Sequence, residues 1–201
     1  MPVLEEMEWC DYWWEKATDG DTPRVLLVGD SITRGYKPFV NEYLKGEALA
    51  DMVASSRAVD NPLLLKELFS MLDHPAYRYQ ILHFNNGLHG QHLSIKEFEE
   101  NYRVVMHLLR TYTNTRIVLA TCTPAYQQGY ENPYNQLALE RNRFIREYAL
   151  EQGLTVHDLY QVSYDRPEIR LPDGLHYNDA GARLQARQVA DVIHSCLQDN
   201  K

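Results

Sequence analysis

Five short apolar runs recur along the chain: "RVLLVG" (24–29), "LADMVA" (49–54), "YQILHF" (79–84), "TRIVLAT" (115–121) and "LTVHDL" (154–159). Each is separated from the next by a segment long enough for a helix. Strands that read as near-continuous apolar runs are covered on both faces, which is the condition of a parallel sheet whose crossovers are helices. The alternation therefore predicts an α/β chain: a three-layer α/β/α sandwich around a five-stranded parallel sheet. Right-handed crossovers leave few strand orders, and a flavodoxin-like 2-1-3-4-5 order is expected.

The intervening segments carry helix signals. Asn61-Pro62 supplies an N-cap and a first-turn proline ahead of "LLLKELFSML", and Ser94-Ile95-Lys96-Glu97 reads as a capping box. A third helix is expected from about Tyr134 to Gln152, stopped by Gly153, and a last one after Asn178. A helical lead-in is expected over Glu8–Lys16, and Trp9 and Trp13, four apart, would either dock it by one aromatic face or, with Tyr12 and Trp14, form an exposed platform for sugars or acyl chains. The expected organisation is a single domain over 1–201, with 1–20 as that lead-in. A length of 201 residues suffices for a core without metals or disulfides as staples.

Composition narrows the function classes. A net charge of −8 argues against nucleic acid and against an anionic membrane surface as partners, because both require a basic footprint. No apolar run approaches the length needed to cross a bilayer. Acidic residues stand at the N-terminus where a signal peptide would carry Lys or Arg, and the three cysteines, Cys10, Cys122 and Cys196, show no CxxC spacing. A cytoplasmic location is the expectation. Charge and composition set no oligomeric state.

In open parallel sheets ligands bind beyond the carboxyl ends of the strands, where the strand order reverses. Gly29-Asp30-Ser31 stands at that place, directly after the first run. A serine hydroxyl needs a general base within hydrogen-bond reach, and the base needs an orienting acceptor. In "LPDGLHYNDAG" Asp173 precedes His176 by three residues, so one short turn before the final helix can present both. Asp30 reads as a turn-stabilising acceptor rather than a proton carrier.

With Gly29-Asp30-Ser31-Ile32-Thr33 after the first strand and Asp173-Gly174-Leu175-His176 before the last helix, the chain resembles the GDSL or SGNH hydrolases over nearly its whole length. The resemblance implies a serine esterase or acylhydrolase: Ser31 as nucleophile, His176 as base and later acid, Asp173 as the residue that orients it, and no metal or organic cofactor. It also implies an oxyanion hole formed by the Ser31 amide, a second-block glycine and a third-block asparagine. Here the chain departs from the family pattern. The second block reads "VASSRAVDNP", without glycine, leaving Ser56, Arg57 or Ala58 as the amide donor. In the third block, "HFNNGLHG", one register puts His89 in the asparagine's place and another puts Asn86 there, while Asn85 could also reach the strand end.

The histidines His74, His83, His89 and His92 lie close together, but no HExxH spacing or adjacent cysteine completes a zinc set, and His83 on an apolar strand reads as a core histidine with a satisfied ring. "TPAYQQGYENPYNQ" (123–136), a Tyr- and Gln-rich loop, is the candidate specificity segment. The expected partner is a small-molecule or carbohydrate ester with a short acyl group. A lysophospholipase- or thioesterase-type acylhydrolase and a noncatalytic carbohydrate-binding protein are the alternatives. A nucleotide-binding reading finds neither GxGxxG nor GxxxxGK[ST] in the first loop.

Overall fold

The computed structural model describes residues 3–127 and 129–199. Its sheet has six strands in the order β1-β3-β2-β4-β5-β6, with β1 at Cys10–Trp13, β2 at Arg24–Gly29, β3 at Leu49–Ser55, β4 at Tyr79–Phe84, β5 at Arg116–Ala120 and β6 at Thr155–His157. The five strands β2 to β6 are parallel and follow the expected 2-1-3-4-5 order. Helices α1 (Ser31–Leu44) and α6 (Asp179–Gln198) cover one face, while α2 (Pro62–Leu72), α3 (Ile95–Tyr112) and α4 (Pro133–Gln152) cover the other. A short α5 spans Leu159–Ser163. No described helix is long and apolar enough to cross a membrane.

Strand β2 shows why the apolar runs are continuous. Leu26 and Val28 join the cluster beneath α2, α3 and α4, whereas Val25 and Leu27 join the one beneath α1 and α6. Successive side chains point to opposite faces, and both faces are dry. The helix ends follow their sequence signals: Asn61 accepts from the Leu63 amide, Ser94 and Glu97 form a capping box, Gly153 closes α4 in the left-handed conformation, and Asn178 caps α6.

The lead-in departs from the helical expectation. Cys10–Trp13 is an edge strand, antiparallel to β3, with Cys10 opposite Ser55 and Trp13 opposite Met52. The residues alternate rather than following a helical period: Tyr12 and Trp14 stack on one face with centroids 6.1 Å apart and planes 9° from parallel. The physical cause lies outside the segment, in the open edge of β3, whose unpaired backbone groups take up a sixth strand. Trp9 and Trp13 therefore do not share a helical face. Trp9 meets His89 edge-on and carries the Arg34 guanidinium 4.7 Å over its ring. Trp13 is exposed, beneath the Lys37 ammonium.

His83 is buried as expected, but its ring is only half satisfied. Its Nε2 lies 3.0 Å from Nδ1 of His157, across β5, and neither His83 Nδ1 nor His157 Nε2 meets a protein partner among the described residues. Burial pushes both rings toward the neutral form: His157 falls to about 4, and His83 drops well below the usual histidine range. Between about pH 4 and 6.5 the unfolded chain thus binds protons that the folded one refuses, so stability rises with pH there. We expect the free energy of unfolding to fall from pH 6.5 to 5, before carboxylates titrate, by up to about 1.4 kcal/mol per pH unit per proton, and the melting temperature to fall with it. Thermal unfolding across that window should show a flatter slope for His157→Gln; an unchanged slope would rule out this pair as the cause.

Candidate active site

The turn between β2 and α1 is forced by a close approach. A side chain at Gly29 would meet the Thr33 hydroxyl at 1.9 Å, so only glycine lets the strand turn at once into the helix. Asp30 caps α1 by accepting from the Ile32 amide at 2.8 Å, the turn-stabilising role expected of it. Ser31 is the first helical residue, and first-turn amides have no intrahelical acceptor.

Across the carboxyl ends of the strands, the turn before α6 brings the other two residues to the serine. His176 Nε2 stands 2.8 Å from Ser31 Oγ, and its Nδ1 stands 2.8 Å from Asp173 Oδ2. The second Asp173 oxygen accepts from the amides of Leu175 and His176, both at 2.8 Å. Partial burial works to raise the Asp173 pKa, but the hydrogen bonds from the His176 amide and ring and the Leu175 amide outweigh it, holding the carboxyl below its ordinary range. The three side chains form a continuous chain from carboxylate through imidazole to hydroxyl, the arrangement that lets a serine lose its proton.

Ser31 and His176 open onto a cavity of about 480 Å³ walled by residues 3–6, Asn85, Leu88, His89 and Tyr134, among others. The loop after β4 is shaped by Gly87, whose φ of +62° and whose contact with Asp30, 1.7 Å from where a Cβ would stand, both require glycine. Asn85 lines the cavity, accepts from the Gly87 amide and donates one amide N–H to the Thr121 carbonyl at 2.9 Å. His89 lines it too, with Nδ1 2.8 Å from Glu5 Oε1.

Asn86 departs from its expected place. It donates to the Arg57 carbonyl at 2.9 Å, toward the β3–α2 loop, and is not part of the cavity wall. The second-block candidates are displaced as well. The Ser56 amide donates to the Trp9 carbonyl and the Arg57 amide to Ser55 Oγ, Ala58 packs against Gly90, and none of the three lines the cavity. For Ser56 the reason is the segment that leads into the edge strand, whose Trp9 carbonyl takes its amide; the Arg57 amide is turned back on Ser55 Oγ at the end of β3.

Thr123, Pro124 and Tyr134 of the 123–136 loop line the cavity. Tyr126 instead supports the Asp173 turn, its amide donating to the Gly174 carbonyl at 2.8 Å, and Gln128 lies outside the described residues.

Two buried arginines that the sequence reading did not single out hold these loops. Arg141 of α4 donates to the carbonyls of Gly87, His89 and Gly90 at 3.3, 2.7 and 2.7 Å. Arg170 donates to Pro124 and Gly174 carbonyls at 2.8 and 3.2 Å, tying the 123–136 loop to the Asp173 turn. The available signal was an arginine on the core-facing stripe of α4, between Ala138 and Ile145. Replacing Arg141 with Met should leave those carbonyls unpaired and lower stability by roughly 2–5 kcal/mol, read from urea unfolding. A loss below about 1 kcal/mol would show that the loop holds itself.

No family model matches the chain, and no curated protein matches it in sequence. Solved structures do match. The acetyl xylan esterase AlAXEase is 20% identical with a TM-score of 0.67, the match covering 85% of this chain and 99% of that one. An inhibitor-bound aryl esterase of M. smegmatis is 16% identical with a TM-score of 0.71, over 87% of this chain and 100% of that one. A lipolytic G-D-S-L family protein from Veillonella parvula is 17% identical with a TM-score of 0.69, over 86% and 99%. The fold of this chain is thus one that it shares with solved structures of an acetyl xylan esterase, an aryl esterase and a lipolytic G-D-S-L family protein.

Proposed function

We propose that the chain is a GDSL/SGNH-type serine esterase that hydrolyses short-chain carboxylic esters through an acyl-enzyme, O-acetyl groups on carbohydrate foremost. The observation that carries this reading is the 2.8 Å approach of His176 Nε2 to Ser31 Oγ, with Asp173 behind the ring. Ser31 Oγ forms a bond to the ester carbonyl carbon while its proton passes to His176. The carbonyl oxygen becomes an oxyanion, and the tetrahedral species collapses as the leaving alcohol takes the proton from His176. Water then attacks the acyl-serine as His176 takes one of its protons, and the second tetrahedral species collapses with cleavage of the acyl–Oγ bond, His176 returning the proton to Ser31 Oγ as the acid leaves. The oxyanion falls to the Ser31 amide and to the second N–H of Asn85, while His89 on the same wall, with Nδ1 against the Glu5 carboxylate, presents a proton at Nε2 only as an imidazolium.

Leu88 and Tyr134 in the cavity wall are read as bounding a short acyl group. An acetylated carbohydrate is favoured by likeness in fold to an acetyl xylan esterase. Glu5, Glu6, His89, Gln91 and His92 offer hydrogen-bonding partners to a hydroxyl-bearing alcohol, beside apolar wall from Val3, Leu4, Ile32 and Leu175.

Hydrolysis of p-nitrophenyl acetate should fall about 1,000- to 1,000,000-fold in Ser31→Ala and in His176→Ala, each shown to fold by circular dichroism. Asp173→Asn should cost about 100- to 10,000-fold, because the amide no longer fixes the ring's tautomer. Wild-type turnover matched by Ser31→Ala would end this reading and favour a noncatalytic ligand-binding protein. An active wild type would then be compared on acetylated xylan and p-nitrophenyl esters of increasing chain length, where faster turnover of long chains would contradict the short-acyl assignment.

A further inference from the structure

Ser31 and His176 stand between two cavities. The second, of about 290 Å³, has Ser31, Ile32 and His176 in common with the first and does not reach Asn85. Its walls are Arg34 and Gly35 of α1, Ala182 and Gln185 of α6, and Leu171 and Tyr177, which flank the Asp173 turn. Those walls are held in place. Gln185 is buried and donates to Ser163 Oγ at 3.1 Å, the Arg170 guanidinium lies 4.7 Å over the Tyr177 ring, and Arg34 pairs with Asp11 at 2.9 Å.

Gly35 is the residue of that wall that calls for a reason, because glycine inside a helix is destabilising relative to alanine. The other helical glycine, Gly181, has one: a Cβ there would meet the Ile169 carbonyl oxygen at 2.6 Å. At Gly35 a Cβ would meet nothing within 4 Å, and the backbone is not left-handed. No neighbour in the protein excludes a side chain, and the space beside Gly35 is the cavity. Pro38, three residues on in the same helix, offers one other cause, a bend that glycine would ease. The two causes differ in what alanine does at position 35.

The chemistry gives each cavity a part of the ester. The carbonyl oxygen turns to the Ser31 amide and to Asn85, which lines the first cavity, and the acyl group is bounded there by Leu88 and Tyr134. The alkoxy oxygen must lie at His176 Nε2, which protonates it as it leaves. A tetrahedral carbon on Oγ directs that substituent away from the other two, and the space on that side of the pair is the second cavity.

We propose that the second cavity is a subsite for the alcohol part of the ester, holding one ring of it, and that Gly35 is the specificity-determining residue that keeps it open. A carbohydrate of several rings then bridges the two cavities, one ring here and its neighbours against the polar side chains of the first. The inference rests on the esterase reading, and two ester series test it. Acetates of ethanol, phenol and 1-naphthol enlarge the alcohol at a constant acyl group, while p-nitrophenyl acetate and butyrate enlarge the acyl group at a constant alcohol. Gly35→Leu lowers the ratio of kcat/KM for 1-naphthyl over ethyl acetate about tenfold and shifts the butyrate-to-acetate ratio by less than about threefold. Gly35→Ala lowers the first ratio less and melts at or above the wild-type temperature. An alcohol ratio within about twofold of wild type in folded Gly35→Leu overturns the proposal, as does a shift confined to the acyl series. Gly35→Ala melting below wild type also overturns it, by assigning the glycine to the bend at Pro38. If wild type and Ser31→Ala turn over every ester alike, the esterase reading falls and the subsite with it; Ser31-dependent turnover with an unchanged alcohol ratio overturns the subsite alone.

Discussion

The closeness of Gly29 to Thr33 governs the rest of the site. Because nothing but hydrogen fits at that strand end, β2 runs straight into α1, and Ser31 becomes the first residue of a helix. The strand is buried on both faces and hydrogen-bonded on both edges, to β3 and to β4, so the turn sits on an immobile support. It is also where the strand order reverses, which leaves a crevice over the serine. Asp30, spent on capping the helix, keeps its other oxygen against Gly87 and couples this turn to the loop after β4.

Around that support the site is assembled from loops, and buried cations do the assembling. Arg141 collects three carbonyls of the 87–90 loop, and Arg170 joins the 123–136 loop to the turn that bears Asp173 and His176. A guanidinium suits this work because its planar fork offers five N–H groups to carbonyls that would otherwise be buried without partners. Cys122 adds a further bond, its thiol donating to the Gly87 carbonyl at 3.0 Å. Burial pushes that thiol up to about 12, so it acts as a packing group and not as a nucleophile.

The chain was legible where local chemistry decides. Continuous apolar runs specified five strands, capping residues specified helix ends, and Gly-Asp-Ser and Asp-x-x-His were each recognisable within a few residues. It was not legible where partners lie far apart in sequence. The tryptophans near the N-terminus satisfy a helical spacing, yet the open edge of β3 drew them into a strand; Asn86 has the right residue type, yet the Arg57 carbonyl took its amide. Glu5 and His89, 84 positions apart, gave no mutual signal.

What the sequence determined by itself was therefore the layered α/β architecture and the two turns that carry the serine and the histidine, because periodicity, capping and glycine sterics act over a few residues. Only the tertiary structure decided that His176 reaches Ser31 at 2.8 Å across 145 positions, that Arg141 and Arg170 hold the loops, and that a segment ahead of β1 walls the cavity. Those contacts depend on which backbone groups remain unpaired once the sheet has formed, and that is set by the assembled sheet and not by any stretch of chain alone.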